Sequence, residues 1–89
     1  MIEYDEAKRQ ANLVKHGLDL ADAHLVFDAA NKMTIESPRD AEHRLMDIAL
    51  VEIHGVVLAL VYTKRGGNVR AISLRRASKA ERKLYEKPE

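Results

Sequence analysis

The chain has no cysteine among its 89 residues. That excludes disulfides, thiolate chemistry and cysteine zinc sites, and it is compatible with a reducing cytoplasm. No apolar run approaches the ~20 residues of a membrane span, and the opening, MIEYDEAKRQ, is too polar for a secretory leader. Repeats, low-complexity tracts and linkers are also missing. His16, His24, His43 and His54 lack the close pairing of helix-borne zinc motifs, so neither a metal site nor another cofactor is expected. Gly66-Gly67 reads as a turn rather than a phosphate-binding loop, which weighs against nucleotide hydrolysis. No Ser-His-Asp arrangement can be claimed, because a triad is defined by geometry and not by spacing.

The hydrophobic fraction is 46%, that of an ordinary globular chain. A chain of this size makes one domain, residues 1–89, burying roughly 60–68% of its unfolded surface. The net charge of +1 conceals an asymmetry. From Lys64 onward there are nine Lys/Arg and three Glu, a net of +6, against a net of −5 before it. The simplest partner for the basic end is a phosphate backbone. The plainer alternative is a solvated charged surface.

The segment IEYD is a short strand candidate. Asp5 can cap a helix in which Ala7, Ala11 and Val14 recur at helical spacing, and Gly17 suits its left-handed end. Asp19 begins a second, short helix with Leu20, Ala23 and Phe27 on one face. KMTIE reads as a strand and SPRD as a turn. HRLMDIALVEI and VVLALVYTK flank His54-Gly55, a hairpin connection, and RGGN is a tight turn before the strand VRAISL. Ser78 and Glu81 match a capping box, with Ala80 and Leu84 as the apolar stripe of a closing helix. The order β-α-α-β-β-β-β-α predicts an α+β fold: a small antiparallel sheet with two N-terminal helices and one C-terminal helix, the helices packed on one side.

The chemistry concentrates at the basic end. Strand alternation sends Ala71, Ser73 and Arg75 to one face, and Arg70, Ile72 and Leu74 to the other, toward the core. Arg75, at the strand end, presents a planar fork suited to phosphate oxygens; the competing role for Arg70 or Arg75 is an internal ion pair. Glu81 and Tyr85 share a helical face. Glu81 is a candidate general base or simply the third residue of its cap, and Tyr85 a candidate for base stacking, proton donation or plain packing. His16 beside Lys15 is the best histidine candidate for proton transfer, against a role capping the helix end. The remaining histidines read as structural or surface groups.

These residues add up to a family pattern. EYD at the start, N-x-x-KHG across Asn12 and Lys15-His16-Gly17, A-x-x-VF ending at Phe27, Arg44 heading a strand, VYTKR, and R-A-I-S-L-R-R-A-S-K-A-E-R-K-L-Y together resemble BrnT-type toxins over essentially the whole chain. Those are the ribonuclease halves of bacterial type II toxin–antitoxin pairs. The resemblance implies a RelE-like fold, RNA cleavage that inhibits translation and growth, and neutralisation by a cognate, BrnA-like antitoxin. Promoter DNA would be met only through the antitoxin complex. By motif position it favours Arg70, Arg75, Glu81, Tyr85 and His16 as catalytic residues. Lys15, Arg44, Lys64, Arg65, Arg76 and Lys79 would bind RNA. Ala49 stands where a strand glycine would be expected. The expected activity is a metal-independent endoribonuclease, in which the RNA 2′-hydroxyl attacks the adjacent phosphate while the protein supplies positioning and charge. The rivals are a nucleic-acid-binding module without catalysis and an interaction protein whose basic face holds an antitoxin.

Overall fold

The computed structural model describes residues 2–37 and 43–87. The chain runs β1 (Ile2–Glu3), α1 (Glu6–His16), a 3-10 turn (Leu20–Asp22), α2 (His24–Phe27), β2 (Met33–Ser37), β3 (Arg44–Val51), β4 (Val56–Arg65), β5 (Asn68–Arg76) and α3 (Lys79–Glu86). Pro38-Arg39-Asp40, most of the expected SPRD turn, lie outside the described residues. No helix among the described residues is long and apolar enough to cross a membrane.

The α+β class and the order of elements follow the expectation, and three details do not. The five-stranded sheet, ordered β1-β5-β4-β3-β2, is mixed rather than antiparallel. The strands joined by hairpins are antiparallel, but β1 pairs with β5 in parallel through Ile2–Val69 and Glu3–Arg70. No tight turn links β1 to β5, so none dictates their direction. The second N-terminal helix is broken: Asp19 accepts from Ala21 N at 2.9 Å and starts a 3-10 turn, and α2 follows as one α-helical turn. Leu20, Ala23 and Val26 are nonetheless buried, because the break keeps the apolar side chains turned to the sheet. Finally, the helices cover both faces. Leu20, Ala23 and Val26 join Ala49, Leu58, Leu60, Tyr62, Ala71 and Leu74 in the larger core. Tyr85 of α3 packs on the opposite face against Ile48, Val57, Ala59 and Ala77.

The caps form as read. Asp5 Oδ1 accepts from Ala7 N at 3.0 Å, and Gly17 closes α1 at φ +69° with its N–H on Leu13 O. Ser78 Oγ accepts from Glu81 N at 3.1 Å while Ser78 N donates to Glu81 Oε1 at 2.8 Å. The stripes do not. Val14 is 89% exposed and Ala7 and Ala11 face outward. α1 instead buries Asn12, whose amide takes the place of a neighbouring strand along β5: its oxygen accepts from Leu74 N at 3.0 Å and its nitrogen donates to Leu74 O at 2.8 Å and Leu18 O at 2.7 Å. β1 is two residues long, so this stretch of the β5 edge needs another partner for its polar backbone groups, and a buried amide supplies it. On α3, Ala80 and Leu84 are exposed while Glu81 and Tyr85 turn inward. The β3–β4 connection spans Glu52–Gly55 rather than two residues, with Gly55 at φ +68° donating to Val51 O at 2.8 Å.

β5 carries the feature that matters most for the site. Val61 pairs with Ser73 and Tyr62 with Ala71, so Ile72 is the extra residue of a β-bulge. The bulge resets the alternation. Ala71 and Leu74 both enter the larger core, whereas simple parity had separated them. Arg70 and Arg75, expected on opposite faces, pair with Thr63 and Ala59 and therefore share one face.

Candidate nucleic-acid interface

Where α1 leans over the edge of β5, a groove of roughly 350 Å³ opens, lined by Lys8, Ala11, Asn12, Lys15, His16, Ile72, Ser73 and Arg75. Its walls have separate origins. Lys8 and Lys15 sit seven residues apart on α1, two turns, and so point the same way. His16 lies at the C-terminal end of the helix, and Ser73 and Arg75 lie beyond the bulge. The Asn12 bonds to Leu74 fix α1 against β5, and thereby fix the width of the opening.

Arg75 is anchored at its back. Its Nη1 donates to Glu81 Oε1 at 2.7 Å and its Nη2 to Glu81 Oε2 at 2.9 Å, a fork-on-fork ion pair. The same Glu81 closes the cap of α3, so one carboxylate fastens both the arginine and the helix. The Arg75 guanidinium and the Ser78 N–H hold Glu81 down to a pKa of about 2 against the pull of burial, and the carboxylate in turn raises Arg75. Glu81 is therefore a permanent anion near neutrality and a very weak proton acceptor. His16 shifts the other way: partial burial lowers its pKa, and the charges of Lys15 and Arg75 lower it further. Its neutral form, able to accept a proton, dominates at pH 7.

The structure thus brings together Lys15, His16 and Arg75, with Glu81 behind Arg75. Arg70 and Arg44 lie on the same sheet face as Arg75, in register on either side of Thr63. By strand spacing they stand ~10 Å apart. Tyr85 is placed elsewhere: its ring sits in the smaller core and its hydroxyl accepts from Leu50 N at 3.2 Å. Arg76 lines a different hollow with Leu50, Val57, Ala77 and Arg82, while Lys64 and Arg65 are exposed at the far end of β4 and Lys79 in the first turn of α3. Lys8 escaped the sequence reading, although it stands one heptad before Lys15 on α1. Ser73, placed by alternation on the face of Arg75, lines the groove with it and had been given no role. Among the described residues no three His, Asp or Glu side chains converge as metal ligands. Three of the groove's lining groups are cationic, Lys8, Lys15 and Arg75, and Ser73 adds a hydroxyl, a set chemically suited to an anion.

A family model described as the ribonuclease toxin, BrnT, of type II toxin–antitoxin systems matches residues 4–81. That span contains every residue lining the groove. The comparison with curated proteins gave no match.

Proposed function

Because the chain belongs to the BrnT family of ribonuclease toxins of type II toxin–antitoxin systems, we propose that the α1–β5 groove is where it cleaves RNA, and that it does so without a metal. The observation that carries this reading is the neutral-biased His16 beside an arginine held in place from behind. His16 accepts the proton of the RNA 2′-hydroxyl. The 2′-oxygen attacks the adjacent phosphorus, and the P–O5′ bond breaks. The products are a 2′,3′-cyclic phosphate and a 5′-oxygen that takes its proton from solvent. Arg75 stabilises the additional negative charge on the phosphorane, with Lys15 and the Ser73 hydroxyl at the same phosphate. Arg44 and Arg70 hold the strand on the sheet face. Glu81 orients Arg75 and takes no part in proton transfer. A BrnA-like antitoxin covering the groove would silence it, promoter DNA being met by that complex, and in its absence RNA cleavage in the cytoplasm would arrest translation. The sheet with its edge helix suits a toxin of the RelE type.

Antitoxin-free protein incubated with single-stranded RNA in EDTA is expected to yield fragments ending in 2′,3′-cyclic phosphate. Activity that requires an added divalent ion sinks the mechanism, and binding without cleavage favours the non-catalytic module. The pH profile tests His16 separately. A base with a lowered pKa stays unprotonated further into acid, so the acid limb of kcat/KM should lie below 6.5, the ordinary value for histidine. His16→Gln should abolish that limb and reduce kcat by about 10². A limb that survives the substitution unchanged assigns the base to another group.

A further inference from the structure

From the layout of the groove, and resting on the ribonuclease reading of it, we infer that the substrate is single-stranded RNA gripped by its backbone across more than one phosphate, with Lys8 as the second phosphate contact and with little choice of base. Three observations lead there. Lys8 and Lys15 both line the groove, and seven helical residues set their backbones ~10.5 Å apart along α1. That distance is longer than one internucleotide step of an extended strand. A phosphate at His16 and Arg75 therefore leaves Lys8 facing a neighbouring phosphate of the same strand.

Ala11 and Ile72 give the groove an apolar part of its lining, which suits a ribose face and offers no hydrogen bonds to a base edge, and the Asn12 amide is already bonded to Leu18 and Leu74. The chain has one Phe and three Tyr, and all four lie elsewhere. Tyr62 is buried and meets Phe27 edge to face at 5.4 Å, Tyr85 is bonded to β3, and Tyr4 lines a hollow beside Phe27 and His24. Without a Phe, Tyr or Trp platform, the flat groups left in the groove are His16 and Arg75, both already committed to the reacting phosphate, so stacking has little with which to rank bases. Affinity then rests on phosphate charge, which is blind to sequence. The strand must also be single. Attack by the 2′-oxygen requires it to swing in line with the departing 5′-oxygen, a geometry that an A-form duplex withholds.

The test uses two RNA probes of one sequence: unmodified RNA for cleavage and a fully 2′-O-methylated strand, which cannot react, for binding by fluorescence anisotropy. Lys8→Ala should weaken binding of the methylated strand three- to tenfold and reduce the slope of log Kd against log salt by about 0.7, one phosphate contact on a single strand. In cleavage the loss should fall on KM, and Lys8→Arg should restore it. Lys83→Ala, which removes the same charge from the exposed side of α3, should alter the slope by less than half as much. Methylated homopolymers of the four bases should bind within about threefold of one another, and a duplex at least tenfold more weakly. A salt slope indifferent to Lys8, a strong preference for one base, or tighter binding of the duplex overturns the inference, whatever the protein does to unmodified RNA. Absence of cleavage with the Lys8 dependence intact supports this inference and removes the catalytic reading alone.

Discussion

Arg75→Ala is expected to reduce kcat for RNA cleavage by about 10²–10³, with a much smaller change in KM. The reasoning begins with what holds the side chain. A guanidinium free in solvent has many rotamers to give up before it can meet a phosphorane, whereas this one is already fixed by two bonds to Glu81. Its charge is thus in place before the reaction calls on it, the condition under which electrostatic stabilisation is strongest. Arg75→Lys separates charge from geometry. Lysine keeps the charge but has no fork with which to hold Glu81 and face the phosphate together, so a loss of at least tenfold is expected. Glu81→Gln separates orientation from proton transfer. Glutamine can still close the cap and accept from one arm of Arg75, and a carboxylate titrating at about 2 was never a useful base at neutrality. The variant should lose less than tenfold, and the acid limb of the pH profile should stay where His16 sets it. A loss by Glu81→Gln as large as that of Arg75→Ala, together with a displaced limb, would make Glu81 a participant in proton transfer. The pair also bears on stability. Glu81 has a lowered pKa in the folded state, so its contribution is complete above pH ~4.5 and fades as pH falls toward 2. Unfolding midpoints in urea at pH 5 and pH 3 should converge between wild type and Glu81→Gln.

How much of this was legible before the structure depends on which kind of signal carried it. Caps and turns are local, and Asp5, Gly17, Gly55 and the Ser78–Glu81 box all behave as their chemistry demands. The basic strand end and the Lys15-His16 pair were legible for the same reason, since residue type and position at an element boundary suffice to nominate them. Faces are a different matter. The apolar stripe sought on α1 led to Val14, which is exposed, because the helix docks through a polar residue. Asn12 is buried for the backbone groups it satisfies, and hydropathy carries no trace of that need. The bulge at Ile72 is equally silent in sequence, yet it decides that Arg70 and Arg75 share a face. The parallel pairing of β1 with β5 joins segments about 67 residues apart, for which a two-residue strand offers no pattern. Ala49, standing where a glycine was expected, is fully buried opposite Leu58, so its methyl group is packing material in the larger core. Residue types capable of reaction were readable, then, while their convergence is a property of the tertiary fold.

The largest expected loss of stability lies away from the groove, at a carboxylate the sequence reading passed over. Asp47 is completely buried within β3. Lys32 Nζ donates to its Oδ2 at 2.8 Å, and Thr34 Oγ1 and Tyr62 OH donate to its Oδ1 at 2.6 and 3.0 Å. Lys32 is itself seated by Phe27 O at 2.8 Å and lies 4.3 Å from the centre of the Phe27 ring. The cluster ties β2, β3, β4 and the end of α2 together around a single charge. Its geometry satisfies the charge well, but the net worth of such a pair is small until one partner is removed. Lys32→Met keeps most of the stem and deletes the ammonium, leaving a buried carboxylate with two neutral donors. The cost should be about 3–5 kcal/mol, toward the lower end because Lys32 is 27% exposed and water can reach its place. Against a total of roughly 5–15 kcal/mol for a small domain, that brings the variant close to unfolding. Asp47→Asn removes the charge while still accepting from Thr34 and Tyr62, and its Lys32 can hydrate, so it should cost less. The decisive measurement is the double-mutant cycle in urea: Lys32→Met combined with Asp47→Asn should be more stable than Lys32→Met alone, since the uncompensated charge is gone. If Lys32→Met costs under about 1 kcal/mol and the double variant is simply the sum of the two, then the hydroxyls of Thr34 and Tyr62 carry Asp47 by themselves, and Lys32 is a surface residue that happens to lie near it.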